Sequence, residues 1–188
     1  MDNRGKILGV ALELFASRGY EAAGVMEIAD KAGITKPTLY HYFGSKRGLL
    51  DKLLEENFAP LLQELEQTAL YDGDLPWTLE AVASLFFRFA ARNEVFYRMQ
   101  LSMNFSSPDS ETIAAIDPYN KKIYRILEKL FIDAAKDHGN MKNRHMRYAI
   151  TFLGMINNYI TLALHKYAEL GDRAVYDAVH QFSHGIYS

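Results

Sequence analysis

The sequence contains no cysteine, which excludes disulfide frameworks, thiol catalysis and cysteine-ligated metal sites and fits a reducing compartment, with the cytoplasm as the expected location. Strand signals are nearly as scarce. There is no alternating Val/Ile/Thr/Tyr segment flanked by an Asn-Gly or Asp-Gly turn, whereas apolar residues recur at i, i+3 and i+4, so an all-α fold is expected. Long apolar runs are missing too. Arg88, Arg92 and Glu94 interrupt the richest region, and no stretch approaches the roughly 20 apolar residues that a membrane span needs, so no membrane association is expected. The start imitates a signal peptide, with Arg4 and Lys6 ahead of an apolar run, but Glu13 interrupts that run and an amphipathic helix explains it better. An excess of positive charge is also absent. The net charge is −2, which argues against a nucleic-acid binder that is basic all over and leaves a local patch as the alternative.

Such a patch exists. Between residues 31 and 52, Lys31, Lys36, Lys46, Arg47 and Lys52 face a single acid, Asp51, for a local net charge of +4. The 188 residues are 49% apolar, ample for a buried core in one mid-sized domain or a small one joined to a larger.

About nine helices are expected. The first carries Ile7, Val10, Ala11, Leu14 and Phe15 on one stripe and stops at Arg18-Gly19. The second runs from about Val25 to Ala32 with Gly33 as terminator. Thr35 then caps a third helix, and Pro37 in its first turn costs nothing because amides there lack intrahelical acceptors. That helix ends at Gly44, and Ser45 caps a fourth that continues to near Ala69. Loops are expected at "LYDGDLPW", "NFSSPDS" and "DHGNMKN", which leave helices near 77–92, 93–104, 110–137 with a break at Pro118, 143–168 and 172–187. The expected division is a helix-turn-helix domain over 1–46, a connecting helix over 47–69 and a ligand-binding and dimerisation domain over 70–188.

Two short helices joined by a three-residue turn containing glycine, behind a packing helix, describe a helix-turn-helix, whose second helix inserts in the DNA major groove. On that helix Leu39 and Phe43 share a face, so Lys36, Pro37, Thr38, Tyr40, His41 and Tyr42 point elsewhere. Lys36 suits guanine or phosphate, Thr38 and His41 suit base edges or phosphate, and Pro37 offers an apolar surface to a thymine methyl. Tyr40, Tyr42 and Lys46 suit phosphate oxygens. Thr35, at the helix start, completes the candidate DNA-facing set.

Residues from about 4 to 56 resemble the DNA-binding domain of the TetR (tetracycline repressor) family of bacterial transcription regulators. The resemblance rests on "ILGVALELFASRGYEAAGV", "IADKAGITKPTLYHYFGSK" and "GLLDKLL". It implies a homodimer on double-stranded operator DNA, with Lys36, Pro37, Thr38, Tyr40 and His41 on the recognition helix and Tyr42 and Lys46 at the backbone. Two departures matter. Gly24 stands where many members carry a capping Thr or Ser, and Met26 stands where some carry a basic residue that reaches DNA.

Beyond residue 57 composition carries the reading. Phe86, Phe89, Phe96, Met99, Met103, Tyr124, Phe152, Met155 and Tyr159, with Asn158 among them, are candidates to line a pocket for a small hydrophobic or aromatic effector. Met146, Ile150, Leu153, Asn157, Ile160 and Leu164, then Val175, Val179, Phe182 and Ile186, follow spacings of three and four. The resemblance implies that these helices pair with their copies in a four-helix dimer interface, with Asn157 fixing register.

"HQFSH" places His180 and His184 at i, i+4, but Gln181 stands where a metalloprotease needs its glutamate base. The di-iron signature E-x-x-H and a Gly-rich phosphate loop are absent. Neither a cofactor nor an enzyme is expected, and the histidine pair is read as surface or interface. The reading that emerges is a ligand-responsive repressor. A small-molecule or protein-interaction module with a vestigial DNA-binding head competes with it, because residues 1–57 carry eight basic and eight acidic side chains. Steep salt dependence of DNA binding separates the two.

Overall fold

The computed structural model describes residues 3–185, and among these it has nine α-helices and one 3-10 turn, with no strand. The helices are α1 (Asn3–Arg18), α2 (Val25–Ala32), α3 (Lys36–Phe43), α4 (Lys46–Thr68), α5 (Leu75–Arg92), α6 (Glu94–Met103), α7 (Glu111–Ala134), α8 (His145–Leu164) and α9 (Asp172–His184), with the turn at Gly139–Met141. The chain divides into two compact units, one made of the residues up to Ala59 with Glu94–Pro118, the other of Pro60–Asn93 with the residues from Tyr119 on.

In the first unit the apolar stripe of α1 is buried at Ile7, Ala11, Leu14 and Phe15, and α2 contributes Ile28 and Ala29. Both α2 and α6 pack against α1. Phe58 of α4 meets Phe96 of α6 edge-on at 5.2 Å, and both are 1% exposed. Arg4 and Glu56 form an ion pair. The first two turns of α7 belong to this unit as well. Ser110 fixes their start by accepting from the Ile113 amide at 3.2 Å, as an N-cap should.

In the second unit α5 packs on α8 and α9. Asp74 caps α5 by accepting from the Trp77 amide at 3.0 Å. A cluster of rings fills the interior between α7, α8 and α9. Phe152 and Phe182 lie 5.1 Å apart, Phe131 and Tyr148 5.5 Å, and Phe131 and Phe152 6.2 Å. Phe87 stacks on Tyr159 at 6.0 Å. Such pairs add about 0.5–1.5 kcal/mol each beyond their area burial.

One expectation about the elements is corrected. Pro118 does not break α7, which continues through it. A proline inside a helix loses one hydrogen bond and crowds the carbonyl four residues back, and here that is absorbed within a continuous helix, as it is at Pro60 in α4. The helix at 77–92 also starts earlier, at Leu75, because Asp74 supplies the cap and Pro76 fits the first turn.

Candidate nucleic-acid interface

The turn between α2 and α3 is built by its terminal residues. Gly33 takes the left-handed conformation at φ 67° and its amide reaches the carbonyls of Ala29 and Asp30. Thr35 is extended, and its hydroxyl oxygen accepts from the Thr38 amide at 3.3 Å. Helix α2 starts at Gly24 without a side-chain cap, so the departure seen in the sequence leaves that helix end with bare amides. Helix α3 is eight residues long, and Leu39 is its one buried residue, at 0% exposure. Phe43 is half-buried.

The outer side of α3 carries the residues nominated for DNA. Lys36, Pro37, Tyr40, His41 and Tyr42 are exposed, as is Thr35, while Thr38 is half-buried. The Lys36 ammonium sits 5.6 Å from the Tyr40 ring centroid. His41 and Tyr42 meet edge-on at 5.7 Å. A ring already packed on its neighbour has less rotamer freedom to lose on meeting a surface.

The turn into α4 is tight. Gly44 has φ 70°, and Ser45 accepts from the Gly48 amide at 2.9 Å. A Cβ on Gly48 would stand 2.1 Å from the Phe43 carbonyl oxygen. Only glycine permits that approach, and it holds the end of α3 against the start of α4.

Lys46, the eighth nominated residue, is half-buried. Its ammonium lies 4.3 Å from the centroid of the Tyr20 ring and donates to the Glu21 carbonyl at 3.2 Å. Burial lowers its pKa, and the carboxylates of Glu21 and Glu111 oppose that shift. Tyr20 is 5% exposed, packs edge-on against Phe15 at 5.3 Å and donates its hydroxyl to Glu111 at 2.7 Å. Burial, followed by that bond and the Glu111 charge, raises the phenol's pKa, so Tyr20 remains a donor at neutral pH. Reading the sequence did not reveal this contact. A bond across 91 positions leaves no trace in local periodicity.

The remaining nominations fare differently. Phe96, Met99 and Met103 are on α6 and buried in the first unit, whereas Phe86, Phe89, Tyr124, Phe152, Met155, Asn158 and Tyr159 belong to the second. Within the second unit Phe86 and Phe152 are core, and Asn158 is exposed. Of the nominated set, Met155 lines an open groove of about 550 Å³ between α8 and α9. Exposed Arg144, Arg147, Thr151 and Gln181 line it beside half-buried Tyr148 and Phe182. Two cations next to rings and a thioether suit a molecule with an apolar body and an anionic end.

Four positions of the dimer stripe face inward. Leu153, Ile160, Val175 and Val179 are 6%, 0%, 7% and 2% exposed, so the core of their own unit already consumes them. Asn157, Leu164 and Phe182 are half-buried, and Ile186 lies outside the described residues. The apolar residues that α8 and α9 leave outward are Met146, Ile150, Leu162 and Tyr176, at 39%, 52%, 46% and 50% exposure. Gly154 lies exposed on the same side of α8 as Ile150, with open space where its Cβ would be. His180 and His184 are exposed with ring centroids 4.5 Å apart. Among the described residues no group of three or more His, Asp or Glu is placed to hold a metal, and no helix is long and apolar enough to cross a membrane.

Residues 7–53 match the family described as bacterial regulatory proteins, tetR family. The chain is 38% identical over 98 residues, 52% of its length, to the HTH-type transcriptional activator FasR of Mycolicibacterium smegmatis. It is 37% identical over 81 residues, 43% of its length, to the HTH-type transcriptional repressor KstR2 of Rhodococcus jostii. These matches span 45% and 40% of the relatives' own lengths. Among solved structures, the transcriptional regulator FadR from Bacillus subtilis in complex with stearoyl-CoA has the same fold, with a TM-score of 0.79 at 21% identity over 97% of this chain and 99% of that one.

Proposed function

This chain belongs to the TetR family of bacterial regulatory proteins, and on that premise we propose that it is a cytoplasmic, ligand-responsive transcriptional repressor. It binds a palindromic operator as a homodimer and is released by a small, mostly apolar molecule. The observation that carries this reading is α3. One buried leucine anchors it, and Lys36, Pro37, Tyr40, His41 and Tyr42 stand in solvent where a recognition helix meets base edges and phosphates. The local net charge of +4 over residues 31–52 supports it.

In the dimer two recognition helices read successive major grooves about 34–36 Å apart. The outward face of α8 and α9, with Ile150, Leu162 and Tyr176 exposed and open space at Gly154, offers the self-complementary surface such a dimer needs. For the effector, the groove at Arg144, Arg147 and Met155 favours an apolar body with an anionic end, and one relative in fold was crystallised with stearoyl-CoA. The effector acts through its differential affinity for two conformations of the dimer.

Selection of bound duplexes from a random library by the purified protein tests the reading, repeated with Tyr40→Ala. The expected result is a palindromic consensus that the substitution weakens. No enrichment at low salt overturns DNA binding and leaves a small-molecule module with a vestigial head. Identical operator affinity with and without every compound that raises the melting temperature overturns the ligand response.

A further inference from the structure

Lys46 differs from the other nominated DNA-facing cation, Lys36, in being held from within the protein. Its ammonium rests on the face of Tyr20 at 4.3 Å and donates one hydrogen bond to the Glu21 carbonyl. An ammonium has three donors, so two remain for a phosphate. Tyr20 is itself fixed from two sides, by Phe15 and by the 2.7 Å bond from its hydroxyl to Glu111. Glu111 is the first residue of α7, whose start Ser110 caps, so the carboxylate extends from an anchored helix end.

The chain of contacts therefore runs from the first turn of α7 to the cation that starts α4, entirely within the first unit. We propose that Glu111 and Tyr20 form a positioning relay that sets Lys46 for its phosphate, so that DNA affinity responds to the placement of the α7 N-terminus. The inference rests on the DNA-binding reading above. The physical reason is preorganisation. A free lysine loses up to about 2 kcal/mol of rotamer entropy when it is fixed, and a lysine already resting on a buried ring has lost most of that before DNA arrives. Moving Glu111 moves the phenol, and the ring face carries the ammonium with it. Neither Glu111 nor Tyr20 touches DNA.

The test uses the full chain and the duplex that the wild type selects, with affinity measured by fluorescence anisotropy over a range of salt. Tyr20→Phe keeps the ring and the charge and deletes the bond to Glu111. Glu111→Ala and Glu111→Gln remove the same charge, but only the glutamine still accepts from Tyr20. Tyr20→Phe is expected to weaken binding about 3- to 10-fold, the effect of one lost hydrogen bond, and Glu111→Ala to bind more weakly than Glu111→Gln by a similar factor. Lys46→Ala should lower the slope of log affinity against log salt by about 0.9, one phosphate contact. In the Lys46→Ala background Tyr20→Phe should have no further effect, which a merely structural role for Tyr20 would not produce. Wild-type affinity for Tyr20→Phe, equal affinities for Glu111→Ala and Glu111→Gln, or an effect of Tyr20→Phe that simply adds to that of Lys46→Ala would each overturn the relay. If the wild type selects no duplex, it is the DNA-binding reading that fails. A melting curve for each variant separates loss of fold from loss of positioning, and exposed Glu111 tolerates substitution even where Tyr20 does not.

Discussion

Replacing Leu39 or Tyr40 with alanine, one variant at a time, separates what holds α3 in place from what α3 presents. The two residues are neighbours on the same eight-residue helix, yet Leu39 is 0% exposed and Tyr40 is 38% exposed. Leu39→Ala removes the one fully buried side chain of α3, and a change of this kind costs about 2–5 kcal/mol once the residual cavity is included. A small helical unit collapses partly around the gap, so about 3 kcal/mol is expected. For a chain of this size each kcal/mol lowers the melting temperature by about 2–4 °C, which makes the drop about 6–12 °C. Tyr40→Ala gives up only a partly solvated ring and gains helix propensity, so it should stay within about 0.5 kcal/mol of wild type. Thermal melts followed by far-UV circular dichroism, with urea titrations to convert them to free energies, measure both variants. Operator binding on the same samples should fall for both, through instability in Leu39→Ala and with an unchanged melt in Tyr40→Ala. Equal losses of stability, or a cost below about 1 kcal/mol for Leu39→Ala, would refute the assignment of faces and with it the case for a DNA-reading surface.

The Gly48 position should reject even one methyl group. Gly48→Ala forces a Cβ to within 2.1 Å of the Phe43 carbonyl oxygen and should cost at least about 1–3 kcal/mol, whereas Gly9→Ala in α1, with open space around it, should stabilise by up to about 1 kcal/mol; denaturant melts of both distinguish crowding from a general effect of glycine. Ile150→Glu, on the outward face of α8, should convert the proposed dimer to monomer in sedimentation velocity at micromolar protein, and a dimer as tight as wild type would remove this face from the proposed interface. The Asp133 carboxyl is held below its usual range by hydrogen bonds from Lys129 and Lys136, so it stabilises the fold above the unfolded-state pKa and that contribution is lost as pH falls through the folded-state value. Asp133→Asn should therefore be less stable than wild type at pH 7 and converge with it in acid; a constant gap across the titration would contradict this.

How far the fold was legible follows from what each signal reports. The i, i+4 pair of Leu39 and Phe43 and the glycines at 33 and 44 are local features, and the helix-turn-helix they imply matches the observed ends of α2 and α3. Periodicity on α8 and α9 correctly marked apolar faces but not their partners, because an apolar stripe records that something covers it without saying what. Leu153, Ile160, Val175 and Val179 are covered by their own unit. The surface left over holds Met146 and Ile150, the N-terminal part of the same α8 stripe, beside Gly154, which has no side chain to register in an apolar pattern. Composition groups Phe96, Met99 and Met103 with Phe86 and Phe89 but carries no record of packing partners, and α6 packs on α1, some 80 residues earlier. The Tyr20 bond to Glu111 escaped for the same reason.

The economy with which α3 is held has a consequence for how this protein changes over generations. Its attachment depends on Leu39, the Thr35 cap and the glycine turns at either end, none of which needs a particular side chain at positions 36, 37, 40, 41 or 42. Substitutions at exposed positions of this kind usually shift stability by less than about 0.5 kcal/mol. The surface can therefore drift toward new sequences while the scaffold stays folded, so that selection acts on what is read almost independently of selection on the reader.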